Sequence, residues 1–294
     1  MYRSMYDILN KSIDYRNEYE KLWDMIFTGQ YYKWENRKYT LVDWFDKMIV
    51  EWKYKGMKCS AQEVMNELQL QEHPKKNPEE EILKLCDFII NIRSFLNFKK
   101  QKIDDEADKA EMYNIQNYHF KQIEVPHRIY VTDKILLDLV CEILESLNYE
   151  VLIKEDYQCF IIKKNTDSEE TAKVIEDDGI ATKILQYNDY TIVNDIEAKR
   201  TILKHLADYF EQQKEEIKKC NTILENNINF ALNNFNIRHN NIAGKNENDF
   251  MKNINESEAI KLYDKVYFLM LIAFRLIALK EFEKDIEDIK KKNF

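Results

Sequence analysis

Four glycines and three prolines among 294 residues set the narrowest limit on what this chain can fold into. Tight turns need residues that tolerate positive φ or preset φ, and glycine and proline supply both. A chain this poor in turn-makers is expected to run in long helices joined by short loops. The expectation is a mainly α fold. Hydrophobic residues make up 45%, ample for a core, and the length fits one large domain or two ordinary ones.

Hydrophobic periodicity places the elements. Ile8, Tyr15, Tyr19, Leu22, Trp23 and Ile26 predict a helix from Tyr2 to Phe27. From Tyr31 to Tyr54 the chain is unusually aromatic and interleaved with basic residues. Such a run supplies core in the first reading and a base-stacking platform in the second. Ser60 with Glu63 forms a capping box opening a short helix, and His73 to Pro78 is a break. Pro78 and three glutamates start a helix whose apolar face runs Ile82, Leu85, Phe88, Ile89, Ile92 and Phe95. Between Lys99 and Lys121 the rhythm fades. That stretch reads as a loop and as the domain boundary, giving a helical region over 1–125 and a second domain over 126–294.

Beyond Pro126 a helix is expected after Thr132-Asp133, stopping at Asn148. One small hairpin should follow, its strands over 149–154 and 158–164. Asn165 opens a short helix, Asp177-Asp178-Gly179 ends it, and another short helix covers 180–187. A capping box at Asn194 and Glu197 predicts one long helix through Ile202, Phe210, Ile217 and Ile228. The apolar run from Val266 to Leu279 contains Arg275 and is too short for a good membrane span, so a helix buried on most sides is expected, with a solvated charged end through Lys292.

Composition also narrows function. A formal net charge of −9 excludes a broadly basic nucleic-acid-binding surface and leaves room only for a focal one. Cys59, Cys86, Cys141, Cys159 and Cys220 are odd in number and widely spaced, as in a reducing compartment. The first residues form no apolar leader, so a cytoplasmic protein without a membrane partner is expected. Too few glycines exist for a phosphate-cradling loop, and His73, His119, His127 and His205 are scattered without metal-ligand spacing. No cofactor and no metal are expected.

Potential chemistry collects in Ala231 to Asn241. Arg238 is a permanent cation suited to phosphate, and His239 titrates near neutrality. Asn233, Asn234, Asn240 and Asn241 surround them. One reading is a helix stop, because basic residues suit the negative helix end and asparagine tolerates the left-handed conformation that closes it. The other is a site. Attack of an RNA 2′-hydroxyl on its own phosphate needs a near-neutral acid or base and a cation for the developing charge. Were the helix to continue to Asn241, then Asn234, Arg238 and Asn241 would share one stripe.

The segment Asn188 to Glu211, taken with Leu232-Asn-Asn-Phe-Asn-Ile-Arg-His-Asn-Asn241, resembles the C-terminal domain of bacterial abortive-infection proteins, a domain similar to the HEPN superfamily. The resemblance spans about Ile135 to Leu279. It implies a HEPN-like helical bundle, a homodimer with a composite cleft, and metal-independent RNA cleavage in antiphage defence or as a toxin. An antitoxin or a phage-derived trigger is the implied regulatory partner. Arg238 and His239 become the expected catalytic residues, with Asn234, Asn240, Asn241 and Lys245 binding substrate. The chain departs from the family pattern in having no second histidine a few residues beyond Arg238. The alternative is therefore a non-catalytic module binding RNA, a nucleotide or a protein partner.

Overall fold

The computed structural model describes residues 13–51, 60–74, 77–119, 122–153, 158–238, 251 and 254–292. These residues are mainly helical, and the chain divides into two compact units, Met1–Ile161 and Ile162–Phe294.

In the first unit, α1 (Tyr15–Thr28) starts where the Asp14 carboxylate accepts from the Arg16 and Asn17 amides. It buries Tyr19, Leu22 and Ile26. The earlier part of the predicted helix, through Ser12, lies outside the described residues. Strands β1 (Tyr32–Trp34) and β2 (Arg37–Tyr39) form an antiparallel hairpin turning through Glu35 at φ 54°. Local periodicity leads to a single hairpin, over 149–164, and β1–β2 is a second one. Two three-residue strands of aromatic and basic residues suffice to pair here because a third strand, β3 (Ile129–Val131), completes the sheet in the order β2-β1-β3.

Helix α2 (Leu41–Met48) opens on a capping box between Thr40 and Asp43. Its Trp44 is fully buried against Tyr32, Trp34 and Tyr39, so Tyr32, Trp44 and Phe45 of the aromatic run are core, and Tyr31, Trp34 and Tyr39 are half-buried at its edge. Exposed Lys47 lays its ammonium over the Trp34 and Tyr39 rings at 4.4 and 5.2 Å, a cation–π contact that covers the rim of this cluster. Helix α3 (Ala61–Glu67) begins at Ser60, whose Oγ accepts from the Glu63 amide at 3.2 Å.

Helix α4 (Pro78–Gln116) corrects the expected loop over 99–121. Apolar rhythm fades there because the buried stripe narrows to Ala107 and Ala110, while charged residues cover the rest of the helix, with a half-buried Lys100–Asp104 pair at 2.5 Å. Arg128 bonds back to Asp108 and Glu111 near the end of this helix, which returns the chain to β3. Helix α5 (Lys134–Ser146) ends at Asn148, at φ 62° as its stop signal implied. Asp133 precedes this helix without capping it through its side chain. Its buried carboxylate instead accepts from Arg93 Nε at 2.7 Å and from the Tyr32 hydroxyl. The expected hairpin is present as β4 (Tyr149–Ile153) and β5 (Cys159–Lys163), and the division between units falls within β5.

The second unit continues with α6 (Thr166–Lys173), capped by Asn165, and α7 (Asp178–Gln186), capped by Asp177. Helix α8 (Ile196–Cys220) is capped by Asp195, not Asn194: the Asp195 carboxylate accepts from the Ala198 amide at 2.9 Å. The expected single long helix is two, because Asn221 is extended and α9 (Thr222–Asn234) starts beyond it. Helix α10 (Glu256–Lys292) carries the apolar run. Leu203, Leu206, Ala207 and Phe210 of α8, Ile228 and Leu232 of α9, and Met270 and Phe274 of α10 form one core. Phe268 and Leu279 stay half-exposed. Among the described residues no helix is long and apolar enough to cross a membrane.

Candidate functional site

Helix α9 stops at Asn234, and the turn beyond it is tightly built. The Phe235 amide bonds the Ala231 carbonyl, Asn236 takes the left-handed conformation at φ 57°, and the Arg238 amide bonds the Leu232 carbonyl at 3.1 Å. Asparagine is one of the few residues that accept this conformation cheaply. Ile237 next to it is fully buried in the core, which pins the turn from below. The helix-stop reading of this stretch therefore describes its backbone, with Asn236 as the closing residue.

That geometry removes the condition for a stripe of Asn234, Arg238 and Asn241. The Asn234 amide is turned back onto its own helix and donates to the Phe230 carbonyl at 2.7 Å. His239, Asn240, Asn241 and Lys245 lie outside the described residues.

Arg238 is held from two sides. Its Nη2 donates to Glu211 Oε2 at 2.5 Å and to the Ala207 carbonyl at 3.3 Å, both on α8, while Nη1 reaches Asn229 Oδ1 on α9 at 3.4 Å. The side chain is only 19% exposed. A guanidinium has five N–H donors; these contacts occupy three and leave Nε–H and one Nη1–H unassigned among the described residues. Lys214 pairs with the same Glu211 at 3.1 Å. Burial alone would raise the Glu211 pKa, but the hydrogen bonds from Lys214 and Arg238 outweigh it and hold the carboxyl below its ordinary value.

Two features were not legible in the sequence stretch itself. Glu211 and Asn229 belong to the site by contact, and nothing in their local spacing marks them. Asn236 Oδ1 is buried without a hydrogen-bond partner among the described residues. An unsatisfied buried acceptor costs roughly 1–3 kcal/mol, and this one lies two residues from the cation.

A second polar cluster in this unit is structural. Buried Lys199 pairs with Asp264 at 2.5 Å and lies over the Tyr187 ring, which stacks on Tyr267 at 4.0 Å. The Tyr267 hydroxyl donates to the Ile184 carbonyl and accepts from the Ser168 hydroxyl. Burial pushes both phenols above their usual range, and Asp264 raises Tyr187 further, so they serve as neutral donors that tie α6, α7, α8 and α10 together. Among the described residues no group of three or more His, Cys, Asp and Glu is arranged to hold a metal ion. No family model, curated protein or solved structure matches the chain.

Proposed function

We propose that the second unit is a HEPN-type module that cleaves RNA without a metal, in the setting of antiphage defence or toxin action, at a site shared between two chains. The observation that carries this reading is the Arg238–Glu211 pair at 2.5 Å. Glu211 closes the first segment of the abortive-infection resemblance and Arg238 lies in the second. The two residues are 27 positions apart in the chain, and the two segments meet through this contact.

The chemistry follows from the residue types. Arg238, positioned by Glu211 and Asn229, presents its remaining donors to the scissile phosphate and offsets charge developing on the phosphorane. His239 takes the proton of the attacking 2′-hydroxyl or supplies one to the leaving 5′-oxygen. Asn234, Asn240, Asn241 and Lys245 are the proposed substrate contacts. The Asn234 amide keeps a second N–H and its Oδ1 for substrate while one N–H bonds the Phe230 carbonyl.

Induced expression is expected to slow growth and fragment cellular RNA, and purified chain should cut RNA in the presence of a chelator. Arg238→Ala and His239→Ala should each abolish both effects, and intact RNA from the wild-type chain in every condition would sink the enzyme reading. A second reading, a non-catalytic RNA-binding module, is favoured by the single histidine and by the fact that Arg238 already has a carboxylate partner. It predicts binding that Arg238→Ala weakens, with no cleavage.

A further inference from the structure

The outer face of the β2-β1-β3 sheet in the first unit carries exposed cations beside an exposed ring. Register places Lys33 opposite Lys38 on one side and opposite Tyr130 on the other. Side chains alternate across a strand, so Tyr32, Trp34 and Ile129 turn inward while this row turns outward. All three are exposed, Tyr130 at 63%. Tyr31 to Tyr39 hold Lys33, Arg37 and Lys38 against Glu35 alone, in a chain of net charge −9.

Two ordinary explanations fall short. Lysine on an edge strand protects against edge pairing, which accounts for Lys38 on β2, but Lys33 lies on the central strand. Like charges directly opposite across a ladder are destabilising, and neither lysine has an ion-pair partner among the described residues. An exposed tyrosine beside two uncompensated ammonium groups matches the parts list for a single strand: a ring for a base and cations for its flanking phosphates.

We infer that this face binds single-stranded nucleic acid, one base stacking on Tyr130 and the adjacent phosphates lying over Lys33 and Lys38. The inference stands apart from the cleavage proposed for the second unit. Here the nucleic acid is bound as a polyanion with unpaired bases.

The test uses the full chain and a fluorescein-labelled single-stranded DNA oligonucleotide, which lacks the 2′-hydroxyl and so cannot be cut by the proposed chemistry. Anisotropy is read against salt. Tyr130→Ala should weaken binding roughly 5- to 150-fold, the range set by loss of one stacked base, while Tyr130→Phe should stay close to wild type. Lys33→Gln with Lys38→Gln should lower affinity and flatten the log–log salt slope by about 1.4, some 0.7 for each phosphate contact on a single strand. Circular dichroism confirms that each variant is folded. The inference is overturned by affinity weaker than about 100 µM at low salt, the weak end of non-specific binding. It is equally overturned if Tyr130→Ala changes nothing, or if duplex DNA, inorganic polyphosphate or anionic vesicles bind as well as the single strand.

Discussion

A guanidinium already paired with a carboxylate holds phosphate well only if the pair positions it without using up its donors. Arg238 meets that condition, and the pair gives it a pH signature. The Glu211 carboxyl lies below its ordinary value of 4.5. A depressed acid contributes stability that is fully present above the ordinary value and is lost as pH falls through the folded one. Glu211 is half-exposed, so salt screens the effect, and pairs of this kind contribute only about 0.2–1 kcal/mol. The expected outcome is local. The Arg238 amide, bonded to Leu232, should lose hydrogen-exchange protection as pH drops below 4.5. In Glu211→Gln the protection should already be lower at neutral pH and should no longer change over that window. Identical protection in both proteins at all pH values would show that Glu211 does not hold the turn.

At the scale of elements, Asn221 is the position on which the second unit turns. Its backbone amide ends α8 on the Ile217 carbonyl, and its side chain starts α9 by accepting from the Leu224 amide at 3.0 Å. Asn221→Ala should cost about 0.5–2 kcal/mol, the usual loss for a side-chain cap, measured by urea unfolding. A cost near zero would mean that packing alone sets the break. This break shows what sequence periodicity can and cannot carry. Ile217, Leu224 and Ile228 keep helical spacing across Asn221, so the pattern reads as one helix although the backbone is interrupted. The reverse happens in α4, where a buried stripe of alanines carries no hydrophobic signal and a continuous helix reads as a loop. Caps were more legible: Ser60, Pro78, Asn148 and Asn165 mark real ends, because a cap is a local interaction between near neighbours in the chain. The β1–β2 hairpin was hidden for the opposite reason. Its third strand arrives from Ile129 to Val131, and no local window contains both. Within the candidate site Arg238 was legible from its side-chain chemistry, while Glu211 and Asn229 reach it only through the folding of α8 against α9.

For the whole molecule, proton accounting decides how many chains the proposed reaction needs. Transfer of an RNA phosphate to its own 2′-hydroxyl removes one proton and delivers another. Each chain supplies one histidine next to Arg238. His205, exposed on the body of α8, is the nearest other histidine in sequence and has no described contact with Arg238. Two chains with their Arg238–His239 pairs across one cleft would supply both a base and an acid. The expected particle in solution therefore has twice the 35.6 kDa chain mass, and light scattering reads this directly. Mass alone does not separate a shared site from two independent ones, but mixing does. When wild-type and His239→Ala chains are unfolded together in equal amounts and refolded, random pairing leaves roughly a quarter of the dimers with two intact chains, as expected for a two-fold assembly. A shared site then retains about a quarter of the wild-type cleavage rate at equal total protein. Independent sites retain about half, the fraction of intact chains, since every chain works regardless of its partner. A strictly monomeric wild-type particle that still cuts RNA would remove the composite cleft and leave Arg238 and a single His239 to do the work with solvent as the second proton carrier.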